Sequence, residues 1–332
     1  MSSSSAIAIT SGDPCGIGPE VILKALMDLP PSAQRRMVVI GDHAVFERTA
    51  KRLRRRLPSW TRLHVKQSIA SVVSPLTFLD CGHRDTFVAG RSSREAGAAS
   101  LAYLDLAITL AQTRRVGAIV TAPVTKWAIN RSHPRFIGQT EYLAKAFGVR
   151  DVVMMFVSDR LRVVLLTRHI PIHDVASSVD QRLLRVTLRL THEALRRTFH
   201  IAHPTLAICG LNPHAGEKGM FGSEEKTILL PVLRQLRRGG LICEGPFAAD
   251  GLFAQPSSSD AVICWYHDQG LIPFKMAARD RGCQLSLGLP TIRTSPDHGS
   301  ALEIAGHARA NPGSMRYALR LAANLTKRSA RS

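Results

Sequence analysis

The chain has 332 residues, 45% of them hydrophobic and 21% charged. That composition fits a globular protein long enough for about two domains and excludes intrinsic disorder and small disulfide scaffolds. Lysine and arginine outnumber aspartate and glutamate 44 to 25, a formal excess of +19, which is high for an enzyme-sized chain and raises nucleic acid as a partner.

The N-terminal MSSSSAIAITSGDP has no basic segment followed by a long apolar one. No stretch of the chain approaches the roughly 18 apolar residues of a membrane span. Neither secretion nor membrane contact is expected, and the cysteines, scattered singly without a C-x-x-C pair, read as reduced thiols of a cytoplasmic protein.

Residues 6–10 are apolar and β-branched and predict a buried strand. They run into Thr10-Ser11-Gly12-Asp13-Pro14-Cys15-Gly16-Ile17-Gly18-Pro19-Glu20, where glycines permit a tight turn and close approach to a ligand, and Pro19 suits the start of a helix predicted over 19–29. The glycines at 12, 16 and 18 lack the G-x-G-x-x-G spacing of a dinucleotide fingerprint, so the segment reads at least as well as an ordinary strand-to-helix turn.

A strand at 37–41 is followed by the densest basic run, Lys51-Arg52-Leu53-Arg54-Arg55-Arg56, with Trp60, Arg62 and Lys66 beyond it. Such a run is more often a solvated face than a phosphate-binding strip, and no nucleic-acid module is recognisable. A helix over 94–113 and a strand at 118–121 come next. Strands at 152–157, 163–167, 206–209 and 261–265 then alternate with helices over 181–199 and 226–238. This alternation predicts an α/β fold with a mainly parallel sheet and crossover helices.

Three histidines each follow a predicted strand: His169 in Thr167-Arg168-His169-Ile170-Pro171, His214 in Asn212-Pro213-His214-Ala215-Gly216-Glu217, and His267 in Tyr266-His267-Asp268-Gln269-Gly270. Carboxyl strand ends of an open sheet line its ligand crevice. Three imidazoles suit a borderline divalent metal with a coordination position left for substrate, although each histidine taken alone reads equally as a structural or surface residue. Later in the chain Lys275 and Arg293 pair a compact cation with a planar one, which suits a phosphate or carboxylate or, equally, two ordinary surface positions.

With these residues in view, the sequence resembles the 4-hydroxythreonine-4-phosphate dehydrogenase family, the PdxA-type enzymes of vitamin B6 synthesis. The resemblance runs from about Ile7 to Leu325 and rests on GDPCGIGPE, TAPVTK, GQTEYLA, TRHIPIHDV, CGLNPHAGEKGMFGSEE, GPFAADGLF, YHDQGLIPFK and LGLPTIRTSPDHGSALEIAG.

The resemblance implies that His169, His214 and His267 hold a divalent metal (Zn²⁺, or Mg²⁺, Mn²⁺ or Co²⁺). It implies that Thr140, Lys275 and Arg293 contact substrate and that Asp250 lies near the reacting group, so that Asp250 and Lys275 are the catalytic candidates. The string from Asp297 to Gly306 is similar to the loop with which decarboxylating dehydrogenases hold the adenosine of NAD, which makes His298, Gly299 and Ala301 the expected contacts to NAD or NADP.

The implied fold is the two-domain α/β/α fold of the isocitrate and isopropylmalate dehydrogenases, with the active-site cleft between domains. Residues 1–130 plus 280–332 are expected to form a discontinuous cofactor domain, and 131–279 a central domain carrying the metal ligands and the contacts of a homodimer with shared sites.

Two positions depart from the family pattern. Gln139 stands where the family usually has histidine, and Gln284 where an asparagine is expected; an amide cannot become cationic or shuttle a proton at neutral pH.

The expected reaction is metal- and NAD(P)-dependent oxidation of 4-phosphohydroxy-L-threonine to 2-amino-3-oxo-4-phosphooxybutanoate, which decarboxylates to 3-amino-2-oxopropyl phosphate. The alternatives are the same chemistry on 4-phospho-D-threonate, on erythronate or on an aromatic-acid cis-dihydrodiol. From another class comes a non-catalytic nucleic-acid-binding protein, against which the intact histidine set argues.

Overall fold

The computed structural model describes residues 6–65, 76–83, 87–255 and 258–329. Lys66, the serine run at 2–5 and the end of the basic tail lie outside them. The chain divides into two compact units, Met1–Arg150 with Leu289–Ser332, and Asp151–Gly288.

In the first unit the strands are β1 (Ile7–Thr10), β2 (Met37–Gly41), β3 (Thr61–His64), β4 (Leu76–Asp80), β5 (Ala118–Thr121) and, from the C-terminal segment, β12 (Ile292–Ser295). They lie in the order β3-β4-β2-β1-β5-β12, all parallel. β1, β2, β4 and β5 are buried along their whole length, which is why their residues are apolar without alternation.

Helix Arg94–Gln112 covers this sheet and buries Ala96, Ala99, Tyr103, Leu104, Ala107 and Ile108, the three-and-four spacing of one helical face. Ser93 caps it by accepting from the Ala96 N–H at 3.2 Å. Helix Gly18–Met27 buries Val21, Ile22, Leu23 and Leu26, each contributing about 1.5–3 kcal/mol by leaving water.

The second unit holds β6 (Val153–Ser158), β7 (Arg162–Leu165), β8 (Thr205–Cys209), β9 (Ile242–Phe247), β10 (Ala261–Cys264) and β11 (Gly282–Leu287), ordered β11-β6-β7-β10-β8-β9. β7, β10, β8 and β9 are mutually parallel. β6 runs antiparallel to both neighbours, because only Asp159, Arg160 and Leu161 separate it from β7, too few for a crossover.

The expected boundaries at 130/131 and 279/280 lie away from these breaks. Phe136 and Tyr142 pack with Leu101 and Ile129, which places residues 131–150 in the first unit. Residues 282–287 form β11 against β6, which places them in the second. The helix predicted over 226–238 begins as a π-turn, Glu225–Leu229, and becomes α-helical at Leu230–Arg238.

The charge runs sort by face. Helix Gln181–Arg197 buries Leu184, Thr187, Leu188, Thr191 and Leu195 and leaves Arg182, Arg189, Arg196 and Arg197 exposed. Lys51, Arg52 and Arg54–Arg56 are likewise exposed, while Trp60 turns inward onto Phe78 with 4.7 Å between ring centroids. The half-buried Trp60, the aromatic that would make the run a nucleic-acid strip, is thus engaged with Phe78. No helix among the described residues is long and apolar enough to cross a membrane.

Candidate active-site residues

In the second unit, His169, His267, His214 and Asp250 follow the carboxyl ends of β7, β10, β8 and β9, four adjacent parallel strands. A chain of hydrogen bonds ties three of these ends together. Thr167 donates through its hydroxyl to the Trp265 carbonyl (2.7 Å), and the Trp265 indole N–H donates to the Cys209 carbonyl (2.8 Å). Gln269 accepts from the Trp265 backbone N–H (2.7 Å) and donates to the Gly210 carbonyl (2.8 Å). Thr167, Trp265 and Gln269, which sequence reasoning missed, thus link the segments that carry the three histidines. Their signal, polar or aromatic residues one to four places beyond a strand, is too common to single them out.

The rings of His169 and His267 approach to 5.9 Å between centroids, and His267 Nδ1 meets the Asp268 carboxylate at 2.7 Å. A carboxylate on one ring nitrogen selects the tautomer whose other nitrogen carries the free lone pair, the pattern of a metal-binding imidazole. His214 is not gathered with them, and among the described residues no three His, Cys, Asp or Glu side chains stand as a ready metal cluster.

The backbone from His214 onward has positive φ throughout residues 214–218: 52° at His214, 53° at Ala215, 80° at Gly216, 40° at Glu217 and 58° at Lys218. Left-handed conformation costs a non-glycine residue about 1–2 kcal/mol. The neighbouring structure holds the turn through Asn212. Its N–H donates to Glu225 Oε1 (2.8 Å), and its side-chain amide donates to Glu224 Oε2 (2.8 Å) and Glu225 Oε2 (3.0 Å). Glu225 is buried, so the strained turn hangs on a buried carboxylate.

Asp250 is exposed on helix Ala249–Ala254, and Lys275 is exposed on helix His267–Ala278. Gln284 is buried on β11 and donates to Ser286 Oγ at 3.0 Å.

In the first unit, Arg293 and Thr140 come together. The buried Arg293 guanidinium donates to Thr140 Oγ1 (3.2 Å) and Thr121 Oγ1 (2.7 Å). Gln139, next to Thr140 at the start of helix Gln139–Ala146, donates to the Ala122 carbonyl at 3.2 Å, which leaves its Oε1 buried without a hydrogen-bond partner. Lys275 and Arg293 fall in different units.

The glycine turn and the loop from Asp297 also belong to the first unit and support one another. The Ile17 N–H donates to the Ser300 carbonyl at 3.0 Å, and Thr125 Oγ1 donates to Ser300 Oγ at 3.0 Å. A Cβ on Gly16 would lie 2.8 Å from the Ser300 carbonyl oxygen, so only glycine permits this approach. Gly12, with φ +67°, has the Pro123 carbonyl oxygen where a Cβ would stand.

Within the loop, His298 Nε2 is buried without a hydrogen-bond partner, Ala301 is left-handed with φ 43°, and a Cβ on Gly299 would meet nothing within 4 Å. A buried donor or acceptor awaiting a partner beside an open backbone face suits a polar ligand such as a dinucleotide.

Residues 33–322 match the family described as pyridoxal phosphate biosynthetic protein PdxA. A 4-hydroxythreonine-4-phosphate dehydrogenase of Desulforapulum autotrophicum is 41% identical over 327 residues, covering 96% of this chain and 94% of that one. The crystal structure of a 4-hydroxythreonine-4-phosphate dehydrogenase from Klebsiella pneumoniae superposes with a TM-score of 0.85 at 32% identity, covering 97% of this chain and 100% of that one. A terephthalate 1,2-cis-dihydrodiol dehydrogenase from Burkholderia xenovorans superposes with a TM-score of 0.64 at 33% identity, covering 96% and 97%.

Proposed function

The chain belongs to the PdxA family of pyridoxal phosphate biosynthetic proteins, and on that premise we propose that it oxidises 4-hydroxythreonine 4-phosphate with a nicotinamide dinucleotide as hydride acceptor. The observation that carries this reading is full-length identity near 40% to dehydrogenases of that name. The buried Arg293–Thr140 pair is consistent with it.

His169, His214 and His267 are the proposed ligands of a divalent metal. Their support is the chemistry of three imidazoles at adjacent strand ends and the carboxylate on His267 Nδ1. An ion held by these residues would supply Lewis-acid polarisation of the substrate hydroxyl. His298, Gly299 and Ala301 are the proposed dinucleotide contacts, Gly299 giving close backbone approach and His298 Nε2 an unfilled hydrogen bond.

Arg293, aimed by two threonine hydroxyls, binds an anionic group of the substrate at two points, and Lys275 adds a compact charge. Asp250, an exposed carboxylate beyond β9, accepts the proton released from the hydroxyl. The 3-oxo acid so formed, 2-amino-3-oxo-4-phosphooxybutanoate, loses carbon dioxide because its carbonyl accepts the electron pair left by the carboxylate. That gives 3-amino-2-oxopropyl phosphate.

The assembly we propose is a homodimer. Ile170 and Ile172 beside His169, and Met220 and Phe221 beyond His214, are large apolar side chains left exposed, and apolar exposure beside a site marks a partner surface.

A second reading changes the substrate alone and turns on Gln139. With its amide N–H₂ held by Ala122, it offers a buried carbonyl acceptor, which selects a substrate with a hydroxyl or ammonium donor at that point, as 4-phosphothreonate and 4-phosphoerythronate also have. Following NADH absorbance with 4-hydroxythreonine 4-phosphate, 4-phosphothreonate and 4-phosphoerythronate, with and without a chelator, tests both readings. Turnover on the first substrate that disappears on chelation supports the assignment; turnover confined to another substrate overturns it. Gln139→His then reads whether this position sets the preference.

A further inference from the structure

Within the first unit, an open pocket of about 530 Å³ lies at the amino ends of β1 and β2. The glycine turn and Thr121 stand at the opposite, carboxyl ends of β1 and β5. The pocket has an apolar floor of Ile7, Leu29, Met37 and Leu319, all buried, and a rim of Arg35, Arg36, Arg316, Arg320 and Lys327. Five cations thus share the lining with one carboxylate, Asp28, which Arg316 engages at 2.7 Å.

The final helix supplies most of the rim. Arg316, Arg320, Ala323 and Lys327 recur at spacings of three and four, so they form one stripe over the pocket. Like charges four residues apart destabilise a helix, and helix propensity does not require cations on this face rather than another. A concave site of this volume, apolar below and cationic above, has the size and chemistry of a small-molecule pocket.

We infer that this distal pocket binds a small organic phosphate, with its phosphate on Arg320, Lys327 and Arg35 and its apolar body on Ile7, Leu29 and Leu319. It also gives part of the +19 charge excess a specific place outside the catalytic residues. The inference is independent of the proposed dehydrogenase activity.

Lys327 makes the site addressable by chemistry. Pyridoxal 5′-phosphate is a suitable probe: its aldehyde condenses with the lysine amine with loss of water, and borohydride delivers hydride to the imine to leave a stable secondary amine. Peptide mapping of the full chain should find Lys327 modified at lower probe concentration than exposed Lys51, with protection by inorganic phosphate and by AMP. Arg35→Glu combined with Arg320→Glu should weaken Lys327 labelling about tenfold, the scale of one or two charge-assisted hydrogen bonds, and leave dehydrogenase turnover unchanged. Labelling of Lys327 no stronger than that of Lys51, or unaltered in the double variant, would overturn the proposal.

Discussion

Arg293 donates to Thr140 Oγ1 at 3.2 Å across 153 residues of sequence, and its other terminal nitrogen donates to Thr121 Oγ1 at 2.7 Å. A long side chain anchored at two points loses little further freedom when it binds an anion, so the pair fixes the direction of the fork before substrate arrives. Thr140→Val should raise KM for the phosphorylated substrate about tenfold and change kcat less, whereas Thr140→Ser should behave like wild type. Arg293→Lys, which keeps the charge and loses the planar fork, should lower kcat/KM about a hundredfold. Steady-state kinetics on the three variants decides; an equal KM in Thr140→Val would remove the positioning role.

The left-handed turn at 214–218 leads to a prediction about metal affinity. Glu225 holds Asn212 by two hydrogen bonds, and Asn212 stands two residues before His214. Glu225→Ala leaves the amide and the strained turn without their buried anchor. Metal affinity, measured by equilibrium dialysis, should fall about 10–100-fold, as for other partners of metal ligands. Circular dichroism separates this loss from unfolding, and an unchanged metal affinity would assign Glu225 to packing alone.

Acid should weaken the fold of the first unit in two steps. Burial, with Arg62 adding to it, holds the His43 imidazole below its ordinary value of 6.5. The unfolded chain therefore binds that proton first, and the stability present above pH 6.5 declines as the pH falls from there towards the native value. Burial raises the Asp80 carboxyl, but the His43 backbone N–H, the Arg62 guanidinium and the Gly82 N–H outweigh it, so the net value lies below 3.8. Its contribution is complete above pH 3.8 and is lost as the pH falls through that lower native value. Urea midpoints measured from pH 8 to 3 should show both declines, and His43→Gln should remove only the upper one.

How far the sequence foretold this structure depended on where the polar residues went. β1, β2, β5, β8 and β10 were legible because their runs are apolar on both faces, as buried parallel strands must be. β11 and β12 were not: Gln284, Ser286, Arg293, Thr294 and Ser295 are polar yet buried, and polarity in a short run reads as loop. Helix His267–Ala278 was hidden by Gly270 and Pro273 inside it. The candidate histidines drew notice because each follows an apolar run, whereas the contacts of Thr167, Gln269 and Glu225 with the neighbouring strand ends and turn are encoded by no local pattern. In the sequence the glycine turn reads as a poor dinucleotide fingerprint or an ordinary strand-to-helix turn; the structure adds a further task, supporting the loop around Ser300.

That task can be tested at two glycines with opposite surroundings. Gly16→Ala places a methyl group 2.8 Å from the Ser300 carbonyl oxygen, a backbone atom that moves only with its loop. Overpacking of this kind costs about 1–3 kcal/mol, so the variant should melt earlier and, because the loop from His298 to Ala301 shifts with Ser300, should show a raised KM for the dinucleotide. Gly299→Ala adds a methyl group that meets nothing within 4 Å, so the melting temperature should stay at the wild-type value. Its KM for the dinucleotide should nevertheless rise, because the methyl group would stand where a bound dinucleotide approaches the backbone. Titrating each variant with NAD and with NADP at saturating substrate, alongside thermal melts, separates the two effects. A Gly299→Ala enzyme with wild-type KM for both dinucleotides would place the cofactor elsewhere.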